Sequence, residues 1–382
     1  MDSTEPKSPP PATDDVLVVR RDRMIATLNL FAAVGVFLAF PFVMTAGAEF
    51  FLPLAGAIVV AIALVPTLEW LERRKVPSAL TAAICVLGFV LAVNGALALI
   101  VLPASDWFAE LPDRLPRIQS NLAPLIDLYA NLNDFVDRTI NSVGSGPMAQ
   151  AEAAGTGVPT SVVDLIATSA PSAAIEIFFA LLVIFFLLAG WRTARTRTIE
   201  GRDSFDSALK TARIIQNVVS ATSAYLGTIT IINLSLGMAV AFALWLLGMP
   251  SPLMWGGIVA LFNFVPYVGP IAAVLLLGVG GLMTYDTIWV ALIPAAIMAG
   301  LHLIEANFIT PVVLGRRLTM NPLLILISLS YWGWIWGAPG ALLAVPILVI
   351  VTTIFNSTGA PGFLDFLLHG GDESDENGRA TP

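Results

Sequence analysis

Residues 251–283 are apolar along nearly their whole length, yet they are broken at the centre by Asn263-Phe264-Val265-Pro266-Tyr267-Val268-Gly269-Pro270. A soluble core does not need so long an apolar run. A simple membrane helix does not carry two prolines and a glycine at its middle. A break at bilayer depth is tolerated only where the freed backbone groups face protein or water. In secondary transporters, such breaks are where solutes and ions bind.

Composition points the same way. Hydrophobic residues make up 57% of the chain and charged residues 12%, against about a quarter charged in soluble domains. Mean hydropathy is +0.84. The expected fold class is an all-α polytopic membrane protein. The single Cys85 rules out an internal disulfide and reads as a small buried hydrophobe. The sequence contains no Walker motif, zinc-ligand spacing, Ser-His-Asp set or dinucleotide fingerprint. No catalytic residue, metal or cofactor is therefore expected, nor is an enzyme, and nucleic acid is not among the expected partners.

About 20 apolar residues cross a hydrocarbon core. By that measure the spans are 24–46, 50–70, 79–103, 171–191, 218–247 and 287–310, with two broken runs at 251–283 and 321–355. The total is six to eight membrane segments. The expected organisation is a disordered cytoplasmic tail (1–23), the first three spans (24–103), a periplasmic loop (104–170), a transport core with broken helices (171–356) and an acidic disordered tail (357–382). In the loop, Leu115, Ile118, Leu122, Leu125, Leu128, Leu132 and Phe135 recur at helical spacing, which predicts an amphipathic helix. It reads either as packing on the outer rim or as a gate or assembly surface. Residues 141–160 read as a flexible link.

Lysine and arginine favour the cytoplasmic side of short loops. With a cytoplasmic N-terminus, Arg20, Arg21 and Arg23, then Arg73, Arg74 and Lys75, then Arg192, Arg195, Arg197, Arg202, Lys210 and Arg213 all fall inside. Arg316 and Arg317 join them only if each broken run enters and returns. The second run, as one helix, would be about 52 Å long, far more than one crossing needs. Two re-entrant hairpins are therefore expected. One would enter from outside and one from inside, as in an inverted repeat.

Ionisable groups in membrane spans are costly and are functional candidates. His302 and Glu305 lie three apart on one helix face, in the inner half of span 287–310, near Asn307. Glu305 is the candidate proton-coupling group, with His302 beside it. The alternative is an interfacial carboxylate paired with Arg316 or Arg317. Asn263 precedes the Pro266 break, and its amide can both donate and accept. With Pro266, Gly269 and Pro270 it forms one candidate wall of the transport path. Gly337, Pro339 and Gly340, in the break of the second run, form another. A kinked packing element without a ligand is the alternative. Tyr331, Trp332, Trp334 and Trp336 flank the second break as interfacial aromatics or as gate walls. Glu69 and Glu72, beside Arg73 and Arg74, read as an interfacial charge cluster.

The segment Asn263-Phe264-Val265-Pro266-Tyr267-Val268-Gly269-Pro270 resembles the Pro-Tyr-hydrophobic-Gly signature of the autoinducer-2 exporter family of bacterial permeases. So do Ile304-Glu305-Ala306-Asn307-Phe308-Ile309-Thr310-Pro311, Gly315-Arg316-Arg317-Leu318, Asn321-Pro322, Trp334-Ile335-Trp336-Gly337 and Pro339-Gly340-Ala341-Leu342-Leu343-Ala344-Val345-Pro346. The resemblance implies a multi-pass transporter of the bacterial inner membrane, a homo-oligomer, that moves a small polar solute. It carries Asn263, Pro266, Gly269, Pro270, Glu305, Asn307, Pro311 and Pro339 into the transport path. Family members are associated with export of autoinducer-2 or with sodium or proton antiport. Three readings follow: a proton-coupled exporter, a cation/proton antiporter, and a non-transporting membrane scaffold.

Overall fold

The computed structural model describes residues 13–109, parts of 114–123, and residues 162–202, 204–314 and 321–358. Among the described residues all regular structure is helical. The expected amphipathic helix lies mostly outside them, as do the link 141–160, both ends of the chain and the Arg316–Arg317 pair.

Helices α1 (Thr13–Ala46), α2 (Ala48–Glu72) and α3 (Ser78–Ala109) run back and forth. α4 (Val162–Ala189) bends by 57° at Gly190 into the short basic α5 (Trp191–Glu200). α6 (Phe205–Leu246) follows, then α7 (Pro252–Phe262) and α8 (Val268–Thr284). The last part comprises α9 (Ile288–Ala291), α10 (Ile293–Ile304), a π segment (Glu305–Ile309), α11 (Thr310–Leu314) and α12 (Pro322–Thr358). Two of these elements begin earlier than the sequence suggested, α1 at Thr13 and α4 at Val162. Among the described residues, six helical stretches are long and apolar enough to cross a membrane, and α4 with α5 makes a seventh. Large apolar side chains such as Phe37, Trp289 and Val312 face outward, as expected of a surface bathed in lipid.

Local chemistry fixes the helix starts. Ser204 caps α6 by accepting from Ser207 N at 3.3 Å. Asn321 Oδ1 accepts from Leu323 N at 2.9 Å, and Pro322 occupies the first helical position, where its missing N–H costs nothing. Two apolar cores result. One joins α2, α3 and α4 around Leu68, Ala82 and Leu188. The other joins α6, α7, α8 and α10 around Leu244, Trp255, Leu277 and Met298. α6 and α7 touch backbone to backbone: a methyl group on Gly256 would sit 2.3 Å from Gly237 O. Glycine at both positions permits this approach.

Both broken runs are hairpins. α7 and α8 leave the Leu246 end of α6 and return to it, where Tyr285 Oη donates to Leu247 O at 3.1 Å. Trp255, near the start of α7, packs on Gly280, near the end of α8. By length α12 could pass for one span, but the chain reverses inside it. Gly337 has φ 64° and ψ −144°, a conformation open only to glycine. Ser328 Oγ donates to Ala344 O at 2.8 Å, whereas a straight helix would hold those residues about 24 Å apart. The two hairpins enter from opposite ends. The second starts after α11, and its return arm ends at Thr358, whose carbonyl accepts from Lys210 Nζ at 3.4 Å, beside the start of α6. The opposed arrangement matches the inverted plan expected from sequence.

The hairpins differ in depth. Trp336 Nε1, at the second tip, donates to Met44 O of α1 at 3.0 Å. That tip therefore stands level with the α1–α2 turn, so the second hairpin runs the whole height of the bundle. Paired cysteines at Ser328 and Ala344, in a Cys85→Ala background, should form a disulfide readily under mild oxidation. A continuous helix would leave them unlinked. Gly337→Ala should destabilise the protein by about 1–3 kcal/mol, read by unfolding in denaturing detergent.

Candidate functional site

The first hairpin turns sharply. α7 ends at Phe262 with Asn263 at its C-cap, and Val268 N donates to Pro266 O at 2.7 Å. The bond closes a three-residue turn around Tyr267, which has φ 63° and ψ −54°. This positive-φ γ-turn is the rare, strained kind, at a cost of about 1–3 kcal/mol. Immediately after it, Gly269 lies so close to the end of α7 that a methyl group there would be 1.7 Å from Phe262 O. Buried Pro270 follows in the first turn of α8, where a helix has no internal partner for an N–H. Pro266, Gly269 and Pro270 thus make the tip. A strained backbone held by its surroundings often marks a functional site.

The tip delivers Asn263 to a buried polar cluster. Asn263 Nδ2 donates to Asn233 Oδ1 of α6 at 2.8 Å. Asn233 is wholly buried and Asn263 nearly so. The Asn263 amide also interacts with the carboxylate of Glu305, which is only 5% exposed. Thr310 Oγ1 donates to Glu305 Oε1, and His302 Nδ1 lies 3.1 Å from Glu305 Oε2. The π segment explains how Glu305 and Thr310 meet. Its wide turns bring residues five apart into register, and Thr310 N donates to Glu305 O. Pro311, next along, has no N–H to close an α-helical bond to Asn307. α6, the α7–α8 hairpin and the α10–π–α11 span therefore meet at one point, some 20 Å along α6 from its Leu246 end.

Two buried nitrogens of the cluster have no hydrogen-bond partner among the described residues: His302 Nδ1, which only faces Glu305 Oε2, and Asn233 Nδ2. An unmet buried donor such as Asn233 Nδ2 costs about 1–3 kcal/mol, so it calls for an occupant such as a solute oxygen or a water. The cluster thus offers a carboxylate, a hydroxyl, two amides and an imidazole inside an apolar shell. That set can take and release a proton, and it can hydrogen-bond or coordinate a small polar species.

Of the residues expected from sequence, Asn263, His302 and Glu305 come together, with Pro266, Gly269 and Pro270 shaping the turn beside them. Asn307 does not join them: it is exposed, and its Nδ2 donates to its own helix at Leu303 O, 2.8 Å away. Pro311 is exposed as well. Gly337, Pro339 and Gly340 form the second tip, level with Met44 and remote from Glu305. Trp336 ties that tip to α1 and stacks with Trp332 at 4.8 Å between ring centroids. These aromatics act as packing at the α1–α2 end. Two cluster members escaped the sequence reading. Asn233 is an isolated amide in a long apolar helix, a signal that was available. Thr310 became visible only through the π segment.

The segment after α3 holds the base of the first hairpin. Arg114 and Arg117 donate to Met283 O at 3.1 and 3.4 Å, and Asn121 donates to Leu282 O and Tyr285 O at 3.1 and 2.8 Å. The last carbonyls of a helix lack internal partners and carry partial negative charge, so these side chains complete the end of α8. Arg117 also pairs with Asp286 at 3.0 Å.

A strained helical hairpin tip at a buried polar site, within a bundle of membrane-spanning helices, is an arrangement that secondary transporters use. The sequence model of the AI-2E family transporter matches residues 28–359. The chain belongs to that family, which gives it a role in membrane transport across a lipid bilayer and sets it apart from a pure scaffold. It is 24% identical over 328 residues to AI-2 transport protein TqsA of Escherichia coli (strain K12), covering 84% of this chain and 90% of that one. Two other relatives bear the name "Putative transport protein". YhhT of the same organism is 23% identical over 85% of this chain and 89% of its own length. One from Borreliella burgdorferi is 29% identical over 47% of this chain and 51% of its own length.

Asn233→Ala should cost about 0.6–2 kcal/mol in the membrane, because it removes the buried hydrogen bond between Asn233 and Asn263. Stability in denaturing detergent should fall by that amount, and Asn263→Ala added to Asn233→Ala should cost less than the sum of the two single changes.

Proposed function

We propose that the protein is a secondary carrier of the bacterial inner membrane that moves a small polar solute outward, coupled to protons through Glu305. The observation that carries this reading is the burial of Glu305 among His302, Thr310, Asn263 and Asn233 at the strained hairpin tip. A carboxyl group in that position alternates between a charged form held by donors and a neutral form able to cross an apolar gap. The leftover Asn233 donor and the amide of Asn263 supply hydrogen bonds to the passenger. On this reading the protein works by noncovalent binding, as a carrier and not as an enzyme. The name of TqsA suggests an autoinducer-2-like solute, and the outward direction and a homo-oligomeric assembly follow the family resemblance. The N-terminus lies in the cytoplasm on this reading, as the arginine and lysine distribution favours.

A sodium/proton antiporter is the second reading. It is favoured by the oxygen-rich character of the cluster, since the Glu305 carboxylate, the Thr310 hydroxyl and amide oxygens are ligands that suit a hard cation.

Glu305→Gln tests the coupling in proteoliposomes. The change keeps shape and removes the titrating group. The pH dependence of flux should flatten, and the rate at the wild-type optimum should fall at least about tenfold, or about 1.4 kcal/mol. An unaltered pH profile would remove Glu305 from this role. Proton flux stimulated by sodium but not by an autoinducer-2 furanone would select the antiporter.

A further inference from the structure

A second polar site lies at the other end of the bundle, where α2 gives way to the Lys75 turn. A cavity of about 570 Å³ opens there between the end of α2 and α5, lined by Glu69, Glu72, Arg73, Trp191, Arg192 and Arg195 among others. Its charges are layered. Glu72 forms the floor, with its side chain nine-tenths buried, while Arg192 on the rim is 74% exposed. Arg73 is exposed too.

Glu69 is committed to its neighbours. Its Oε1 accepts from Trp191 Nε1 and Arg195 Nη1, each at 3.4 Å. Arg195 is held further by Gln216 Oε1 at 3.1 Å. Glu72 is not so served. Its Oε2 reaches Arg192 only at 4.0 Å, and its buried Oε1 has no partner among the described residues. A carboxylate oxygen left in this state is costly and calls for a cationic donor. A bare metal ion would face the three guanidinium groups, and a bare anion would face two carboxylates. A ligand with a leading ammonium and a trailing phosphate satisfies both layers.

We propose that this cavity binds a phosphoethanolamine group, with the ammonium on Glu72 and the phosphate on Arg73 and Arg192. The source is the headgroup of an aminophospholipid. Three neighbouring features place the cavity at a lipid surface. Arg74 lies over the Trp70 ring at 4.3 Å, and Trp191 opens α5, both in the manner of interfacial aromatics. Phe186 and Leu187, just before the Gly190 bend, are exposed apolar side chains on which acyl chains can lie. The layering suits a lipid, because its ammonium is the outermost group and its phosphate the next. This site lies apart from the Glu305 cluster, and its occupancy does not depend on how that cluster works.

The test is retention of lipid by the delipidated full-length protein, measured by native mass spectrometry with phosphatidylethanolamine, phosphatidylcholine and phosphatidylglycerol of matched chains. Phosphatidylcholine keeps the charge but has no N–H to donate. The wild type should retain phosphatidylethanolamine about tenfold over the other two. Glu72→Gln, taken from the monodisperse folded fraction, should lose that preference, and Arg74→Gln should keep it. Equal retention of all three lipids, preference for phosphatidylglycerol, or an intact preference in Glu72→Gln would overturn the site. Displacement of the lipid by equimolar glycerophosphoethanolamine would overturn the lipid source and assign the cavity to a soluble zwitterion.

Discussion

Hydrocarbon offers no partner to a peptide N–H or C=O, so every backbone group at membrane depth must be satisfied by the protein, by water or by a passenger. Most of this chain meets the rule with unbroken helices. The α7–α8 tip breaks it deliberately. The tip sits some 20 Å from the Leu246 end of α6, and its turn at Tyr267 is strained. What stabilises it is a ring of side chains, with Asn233 holding Asn263 and Gly269 letting α8 begin against Phe262 O. A polar pocket inside an apolar wall is the result, and Glu305 reaches it because the π segment turns its helix there.

Support for the turn also comes from its base. Arg114, Arg117 and Asn121 occupy carbonyls at the end of α8, and Tyr285 fastens that end to Leu247. The hairpin is pinned at both ends, by neutral amides at the tip and by guanidinium groups at the base. The base lies at the protein's edge, where such bonds compete with water and are individually weak. A movement that opens the pocket toward that edge would release bonds at the base and leave the Asn233–Asn263 pair intact. The second hairpin is built differently. It crosses the full height, fastens its tip to α1 through Trp336, and serves as frame more than as gate.

Much of this was legible in the sequence. Apolar length gave the spans, and two prolines with a glycine marked the first turn. The excess length of both broken runs implied reversal, which Ser328 and Ala344 bear out. His302 and Glu305, three apart, were bound to share a face. What could not be read was depth and register. Residue spacing implies that a chain turns back, not how far in it goes, so Gly337, Pro339 and Gly340 were assigned to a pocket they do not line. A strictly α-helical register separates Glu305 from Thr310, and only the π turn joins them. Asn307 sits two residues from Glu305 and therefore faces away from it. Asn233 was visible as a lone amide, but its partner lies 30 residues along the chain, and no local pattern connects them.

The central claim is that the first hairpin tip forms a water-reachable polar pocket inside the membrane. Asn263→Cys, in a Cys85→Ala background that still transports, tests it directly through modification by a small charged thiol reagent applied to either side of sealed vesicles. The account predicts that the cysteine is modified in the folded protein from at least one side. Complete inertness from both sides, with full reaction after unfolding, would mean that the cluster is dry packing and would contradict it.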